Sequence, residues 1–241
     1  MKRILLNVGT EKAGTTWLYS YFQVHPEYKD IGVKELNVLQ TSNLVPTLSS
    51  LSKILQADLE LYFDYFDAQY DGRVLGDFTH YEMSTPNVFK LLKDGFESRG
   101  FQVFPVYIMR EPTDRAWSAY KMLNADSISI KTDNLFAYEF LMKHFLRPKY
   151  KETVEALDLV FGDSVQYYFY ETFFNDEKYI YNLCDTLGID RKTPELSRKV
   201  NTTRESEISS VIVNYLSSDI KTQECIEFIR NRFKDVPWEI N

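Results

Sequence analysis

Apolar residues in this chain follow two spacings. Continuous apolar runs occupy Arg3 to Val8 and most of "FQVFPVYIMR" (101–110), which fits short strands buried on both faces of a parallel sheet. Between such runs, apolar residues recur every three or four positions. Trp17, Leu18, Tyr21 and Phe22 predict a helix that stops by Pro26. "LELYFDYFDAQY" (59–70) reads as a short amphipathic helix. "STPNVFKLLKDGFES" (84–98) and "EPTDRAWSAYKML" (111–123) read as helices with Pro86 and Pro112 in their first turns. "GRVLGDFTH" (72–80) supplies a second strand ending near Asp77, and "SVQYYFYE" (164–171) another. "NDEKYIYNLCDTLGI" (175–189) is a helix ended by Gly188, residues 134–161 two helices parted near Arg147-Pro148, and residues 206–233 helical. Residues 36–58 are polar, serine-rich and weakly patterned. Four or so strands alternating with helices, without internal repeats, predict one α/β domain over residues 1–241, with 36–72 as a lid or acceptor-specificity segment.

Composition narrows the partners. At 241 residues, 44% hydrophobic and 26% charged, the chain can bury a full core. A net charge of −7 gives no general basic surface for nucleic acid or acidic membranes, so an anionic ligand needs a local cluster of positive groups. Cys184 and Cys225 are too few for a disulfide framework and read as buried thiols; His25, His80 and His144 lack metal-ligand spacing. The first apolar run is too short for a signal segment or a membrane span, so a soluble, cytoplasmic protein is expected. The 17 Tyr and 17 Phe fit either core filling or a ring-lined acceptor cleft, and composition does not choose.

The chemistry starts at "NVGTEKAGTTW" (7–17), directly after the first strand. Gly9 and Gly14 have the glycine spacing of a phosphate loop, and the sheet is therefore expected to be a three-layer, P-loop-type parallel sheet flanked by helices. A nucleoside-triphosphate loop would continue with lysine and Ser/Thr; here Thr15 and Thr16 follow, and the lysine, Lys12, lies inside the loop. Lys12 could serve the bridging oxygen of a shorter anhydride. The second constellation is "YIMREPTDRAWSAY" (107–120). Arg110 at a strand end and Ser118 two turns into the next helix can converge on one phosphate. Arg115 is a further contributor or a structural ion pair. The two sites describe a ligand with a 5′ anionic group and a separate second phosphate.

These motifs carry a resemblance. "EKAGTTWLYSYFQVHP" resembles the 5′-phosphosulfate loop of sulfotransferases that use 3′-phosphoadenosine 5′-phosphosulfate (PAPS), in the form found in the heparan-sulfate and bacterial branches. "REPTDRAWSAY" resembles their 3′-phosphate motif, with Arg110 and Ser118 at the matching positions. "YYFYETFFNDEKYIYNLCDTLGI" resembles a later family segment, and "KVNTT" the asparagine-containing stretch of the loop that closes over the nucleotide.

The resemblance implies in-line transfer of a sulfuryl group to an acceptor hydroxyl, or an amine, of a carbohydrate or small molecule, with no metal required. It implies Lys12, Ala13, Gly14, Thr15, Thr16, Trp17, Arg110, Ser118, Asn201 and Arg204 as the cofactor-binding set, with Lys12 also acting on the leaving oxygen. Glu35, in the Lys34-Glu35 pair that resembles the carbohydrate branch, is favoured as general base. His80 competes for that role through its resemblance to a Thr-His of the cytosolic branch, although Phe78 stands where that branch has lysine. Two rivals remain: a magnesium-dependent kinase using Asp77 as its acidic residue, and a non-catalytic nucleotide-binding member.

Overall fold

A computed structural model of the chain describes residues 1–39, 50–82, 84–125, 148–198 and 210–238. The strands are β1 (Lys2–Gly9), β2 (Leu75–Asp77), β3 (Phe101–Met109) and β4 (Gln166–Phe169). All pair in parallel, in the order β2-β1-β3-β4. The chain therefore moves to one side of β1 and then to the other, and this reversal opens a crevice at the carboxyl ends of β1 and β3.

The helices are α1 (Thr15–Gln23), α2 (Ser50–Ala57), α3 (Leu59–Gln69), α4 (Pro86–Glu97), α5 (Pro112–Ala125), α6 (Tyr150–Phe161), α7 (Tyr170–Phe173), α8 (Glu177–Leu187), α9 (Ser210–Ser218) and α10 (Ile220–Arg232). Side chains alternate across β1, as strand geometry requires. Ile4, Leu6 and Val8 enter a core with Phe63, Phe89, Phe96 and Leu157 from α3, α4 and α6. Leu5 enters the opposite core with Leu18 and Phe22 of α1 and Leu183 of α8. Helices on both faces of one parallel sheet make the three layers.

Local chemistry places several ends. Asp58, Asp176 and Asp219 cap α3, α8 and α10 by accepting from backbone N–H groups of Glu60, Lys178 and Thr222. Gly188 ends α8 in the left-handed region at φ 65°, and Arg3 of β1 donates to the carbonyls of Leu187 and Gly188 at 2.6 and 2.7 Å. Pro105 stands inside β3 without breaking the sheet. Its missing N–H costs no ladder bond, because β4 pairs only with residues 106–109.

Three elements differ from the pattern-based expectation. Helix α2 lies in the polar segment, where eight residues are too few for a periodic stripe to register. Tyr170 and Glu171 leave the strand and start α7. The helical stretch near the end is split by Asp219 into α9 and α10. Residues 40–49 of the expected lid, and the first of the two helices expected in 134–161, lie outside the described residues. Among the described residues no helix is long and apolar enough to cross a membrane.

Gly95 offers a direct test of the packing between α3 and α4. Glycine inside a helix normally costs about 1 kcal/mol relative to alanine, yet a Cβ here would stand 2.2 Å from the Phe63 ring. Gly95→Ala is expected to destabilise by about 1–3 kcal/mol, because overpacking outweighs the propensity gain. A urea midpoint equal to or above that of the unsubstituted protein would show that Phe63 can move aside.

Candidate active site

The carboxyl ends of β1, β2 and β3 lie side by side at one edge of the sheet. After β1 the chain makes the glycine loop, with Gly14 at φ 80° as the residue before α1. Gly14 is doubly required: its backbone is left-handed, and a Cβ would stand 2.3 Å from the ring of Phe174. The first turn of α1 has no side-chain cap and no acidic residue, so the N–H groups of Thr15, Thr16 and Trp17 lack intrahelical carbonyl partners. A helix N-terminus of this kind attracts an anion. Ala13 contributes backbone only, since its methyl group is buried in the core.

Lys12 occupies the left-handed region at φ 67°, and its ammonium lies 3.3 Å from the Met122 sulfur. Burial lowers the Lys12 pKa, and the nearby charges of Arg110, Lys34 and Lys121 lower it further against the opposing pull of Glu11. Arg110, at the end of β3, donates from Nη1 to the Lys12 carbonyl at 2.9 Å. The two motifs, nearly a hundred residues apart in sequence, are thus in direct contact. The Arg110 guanidinium lies 4.3 Å from the centroid of the Tyr170 ring, and its buried Nε has no partner among the described residues. Ser118 is half-buried on α5, and no hydrogen bond joins it to Arg110 among the described residues.

Arg115 is structural. It is buried, donates from Nε to the Glu11 carbonyl at 3.1 Å and from Nη2 to Glu82 Oε2 at 2.8 Å. Glu82 also accepts from the Thr10 hydroxyl. One buried ion pair therefore joins the glycine loop, the segment after β2 and helix α5. Burial raises the Glu11 pKa, with Glu82 and Glu35 adding to the rise while Arg115 and Lys12 oppose it. Composition gave no sign that Glu82 would be part of this arrangement; only its proximity to the exit of β2 hinted at it.

The two candidate bases lie together. His80 Nε2 is 3.1 Å from Thr15 Oγ1 and 4.0 Å from Glu35 Oε1, and Lys34 Nζ contacts the same Glu35 oxygen at 2.5 Å. Burial pushes the His80 pKa down to about 4, only partly offset by Glu35, so the imidazole is neutral at physiological pH. Burial pushes the Glu35 carboxyl up, but His80 and Lys34 together hold it below the ordinary carboxylate range. The Glu35 side chain is 29% exposed against 13% for His80.

A family model described as a sulfotransferase domain matches residues 2–232. The chain belongs to the sulfotransferase domain family. Comparison with curated protein sequences returns no match. Among solved structures, this sulfotransferase is similar to a sulfotransferase from Alicyclobacillus acidocaldarius, with a TM-score of 0.67 at 19% identity, covering 97% of this chain and 98% of the other. The sulfotransferase domain of the Synechococcus PCC 7002 olefin synthase gives a TM-score of 0.59 at 14% identity, covering 100% and 96%. Mouse sulfotransferase SULT7A1, solved in complex with PAP, gives 0.52 at 16% identity, covering 98% and 85%. At these identities the likeness is one of fold.

Three further residues of interest in the sequence have clear positions. The Asp77 carboxylate is fully engaged by the Tyr62 and Tyr81 hydroxyls at 2.5 and 2.6 Å and the Thr79 N–H at 2.9 Å. Phe78 is a core residue packed on Tyr19 and Phe22. Trp17 packs edge-on to Phe174, which in turn packs on Tyr170. This ring cluster adjoins the loop, and Tyr170 and Phe174 were not singled out from the sequence. Asn201 and Arg204 lie outside the described residues.

Arg115→Ala would leave the buried Glu82 carboxylate without its counter-charge. The expected result is a loss of about 3–5 kcal/mol of stability in chemical denaturation. Arg115→Lys would fall short of full recovery, because one ammonium cannot reproduce both contacts. A near-neutral Arg115→Ala would mean the pair does not hold the loop.

Proposed function

We propose that this sulfotransferase moves the sulfuryl group of PAPS to an acceptor hydroxyl, or an amine, of a carbohydrate or small molecule, with Glu35 as general base. The observation that carries the reading is the contact of Arg110 with the glycine loop, its buried Nε left without a partner among the described residues. Such an atom fits a second phosphate separate from the loop's own anion site. The PAP complex of the similarly folded mouse enzyme points the same way. PAPS, when bound, supplies an activated sulfuryl group attached to a 5′-phosphate.

In this reading the N–H groups and hydroxyls of Thr15 and Thr16 hold the 5′ anion, and Lys12 brings positive charge to the departing oxygen. Arg110 and Ser118 hold the 3′-phosphate, and Trp17 with its neighbouring rings gives the base an apolar surface. Asn201 and Arg204, which lie outside the described residues, complete the cofactor-binding set that the family resemblance implies. Glu35 accepts the acceptor's proton: it is ionised, half-open to solvent and steadied by Lys34. His80 is the alternative base, but its Nε2 is within hydrogen-bonding distance of Thr15 and it is the more enclosed of the two. Residues 36–72 shape the acceptor site. The engaged carboxylate of Asp77 weighs against a magnesium-dependent kinase.

Isothermal calorimetry tests the donor. 3′-Phosphoadenosine 5′-phosphate is expected to bind without magnesium and at least tenfold more tightly than ATP; equal or tighter ATP binding would overturn the reading.

Rate measurements test the base. Glu35→Gln is expected to lower kcat by roughly 10²–10⁴-fold with nucleotide affinity intact. Because both candidate bases sit below their usual pKa, kcat/KM should show no acid limb near the ordinary histidine value of about 6.5. It should fall on the alkaline side as pH rises through the lowered Lys12 pKa. Retained turnover in Glu35→Gln, with loss in His80→Ala, would reassign the base to His80.

A further inference from the structure

We infer that Trp238, in the segment after α10, is a positioning residue for the phosphate-binding arginine, Arg110; the inference rests on the proposed role of Arg110. Trp238 is 5% exposed and distant in sequence from both motifs. Its indole Nε1–H donates to Glu171 Oε2 at 3.1 Å, and Glu171 Oε1 accepts from the backbone N–H of Glu111 at 2.7 Å. Glu111 is the residue next to Arg110, so this carboxylate fixes the chain as it leaves β3. Glu171 also follows Tyr170, whose ring lies beneath the Arg110 guanidinium.

A second route reaches the same residue. The Tyr150 hydroxyl donates to the Arg110 carbonyl at 2.6 Å, and the Tyr150 ring packs on Trp238 with centroids 5.7 Å apart. Phe169, at the end of β4, meets the indole edge-on at 5.3 Å, and Arg230 donates to the Trp238 carbonyl at 3.2 Å. Two hydrogen bonds thus hold the single peptide group that follows Arg110, one at its carbonyl and one at its N–H, and the partner in each touches the same indole. A bidentate or forked contact tolerates little misplacement, so backbone anchoring at a strand end is where phosphate selectivity is set.

Trp238→Phe keeps a ring between Tyr150 and Phe169 while removing the Nε1–H donor and part of the indole's bulk; Glu171→Gln, which leaves the indole intact, separates the two. The measurement is the ratio of dissociation constants for adenosine 5′-monophosphate and 3′-phosphoadenosine 5′-phosphate, read by calorimetry, with Arg110→Ala as the reference. Trp238→Phe should weaken the bisphosphate by roughly 5- to 30-fold while leaving the monophosphate within about twofold. Glu171→Gln should lower the same ratio, and the double variant should lower it by less than the product of the two. Loss of stability alone would leave the ratio unchanged. An unaltered ratio in Trp238→Phe, with a reduced ratio in Arg110→Ala, overturns the positioning role and leaves the phosphate site standing. An unaltered ratio in Arg110→Ala overturns the phosphate site itself, and the inference with it.

Discussion

A buried charge has to be paired, and the pairing of Arg115 with Glu82 organises the crevice of this sulfotransferase. Burial works against the guanidinium charge, and Glu82, together with Tyr150, Tyr107 and Glu11, more than offsets that penalty. The pair draws together three segments that are separate in sequence: the glycine loop, through Thr10 and the Glu11 carbonyl; the exit of β2, through Glu82; and the first turn of α5. With these three fixed, Arg110 reaches the Lys12 carbonyl, and the segment carrying His80 crosses the end of β1. The Tyr81 N–H bonds the Val8 carbonyl at 2.8 Å, and the Phe78 N–H bonds the Lys34 carbonyl at 3.2 Å. Glu35 is placed by that second contact.

The charges around the loop differ in how fully they are held. Among the described residues Arg110 Nε has no partner, whereas Arg115 donates to the Glu11 carbonyl and to Glu82. Asp77 belongs with the held groups, although its place at the end of β2 suggests an acidic catalytic residue. Its two tyrosine partners come from α3 and from the turn after β2, so it ties the helical layer to the sheet edge. The Glu35–His80–Lys34 group is neither saturated nor free. His80 and Lys34 hold the Glu35 carboxyl down, burial holds the His80 imidazole down, and both possible proton acceptors are in the accepting state at neutral pH.

Much of this was legible in the chain because it is local. The strand–glycine-loop–helix opening, the prolines in the first turns of α4 and α5, and Gly188 at the end of α8 follow from backbone preferences that a few residues carry. The buried strands read as apolar runs because helices cover both faces of the sheet. Lys12, Thr15 and Arg110 could be singled out as candidates because their spacing to glycines and to a strand end is short and fixed. The split at Asp219 and the turn at Tyr170 escaped because a single capping residue, or a single tertiary contact, decides them.

By itself the sequence determined the α/β class, the family and the candidate residues for an anion, since each depends on short-range pattern. Only the tertiary structure decided which charges are available. Arg110 and Arg115 lie five residues apart and look alike in sequence, yet among the described residues one keeps an unpartnered Nε and the other is enclosed by Glu82. The same holds for Glu35 and His80, whose contact joins a loop after α1 to the end of β2. Trp238 carries no signal at all until β4, α6 and α10 bring Phe169, Tyr150 and Arg230 around it. Burial and partnership are properties of the packed chain, because desolvation depends on every neighbour a group acquires and not on the residues beside it in sequence.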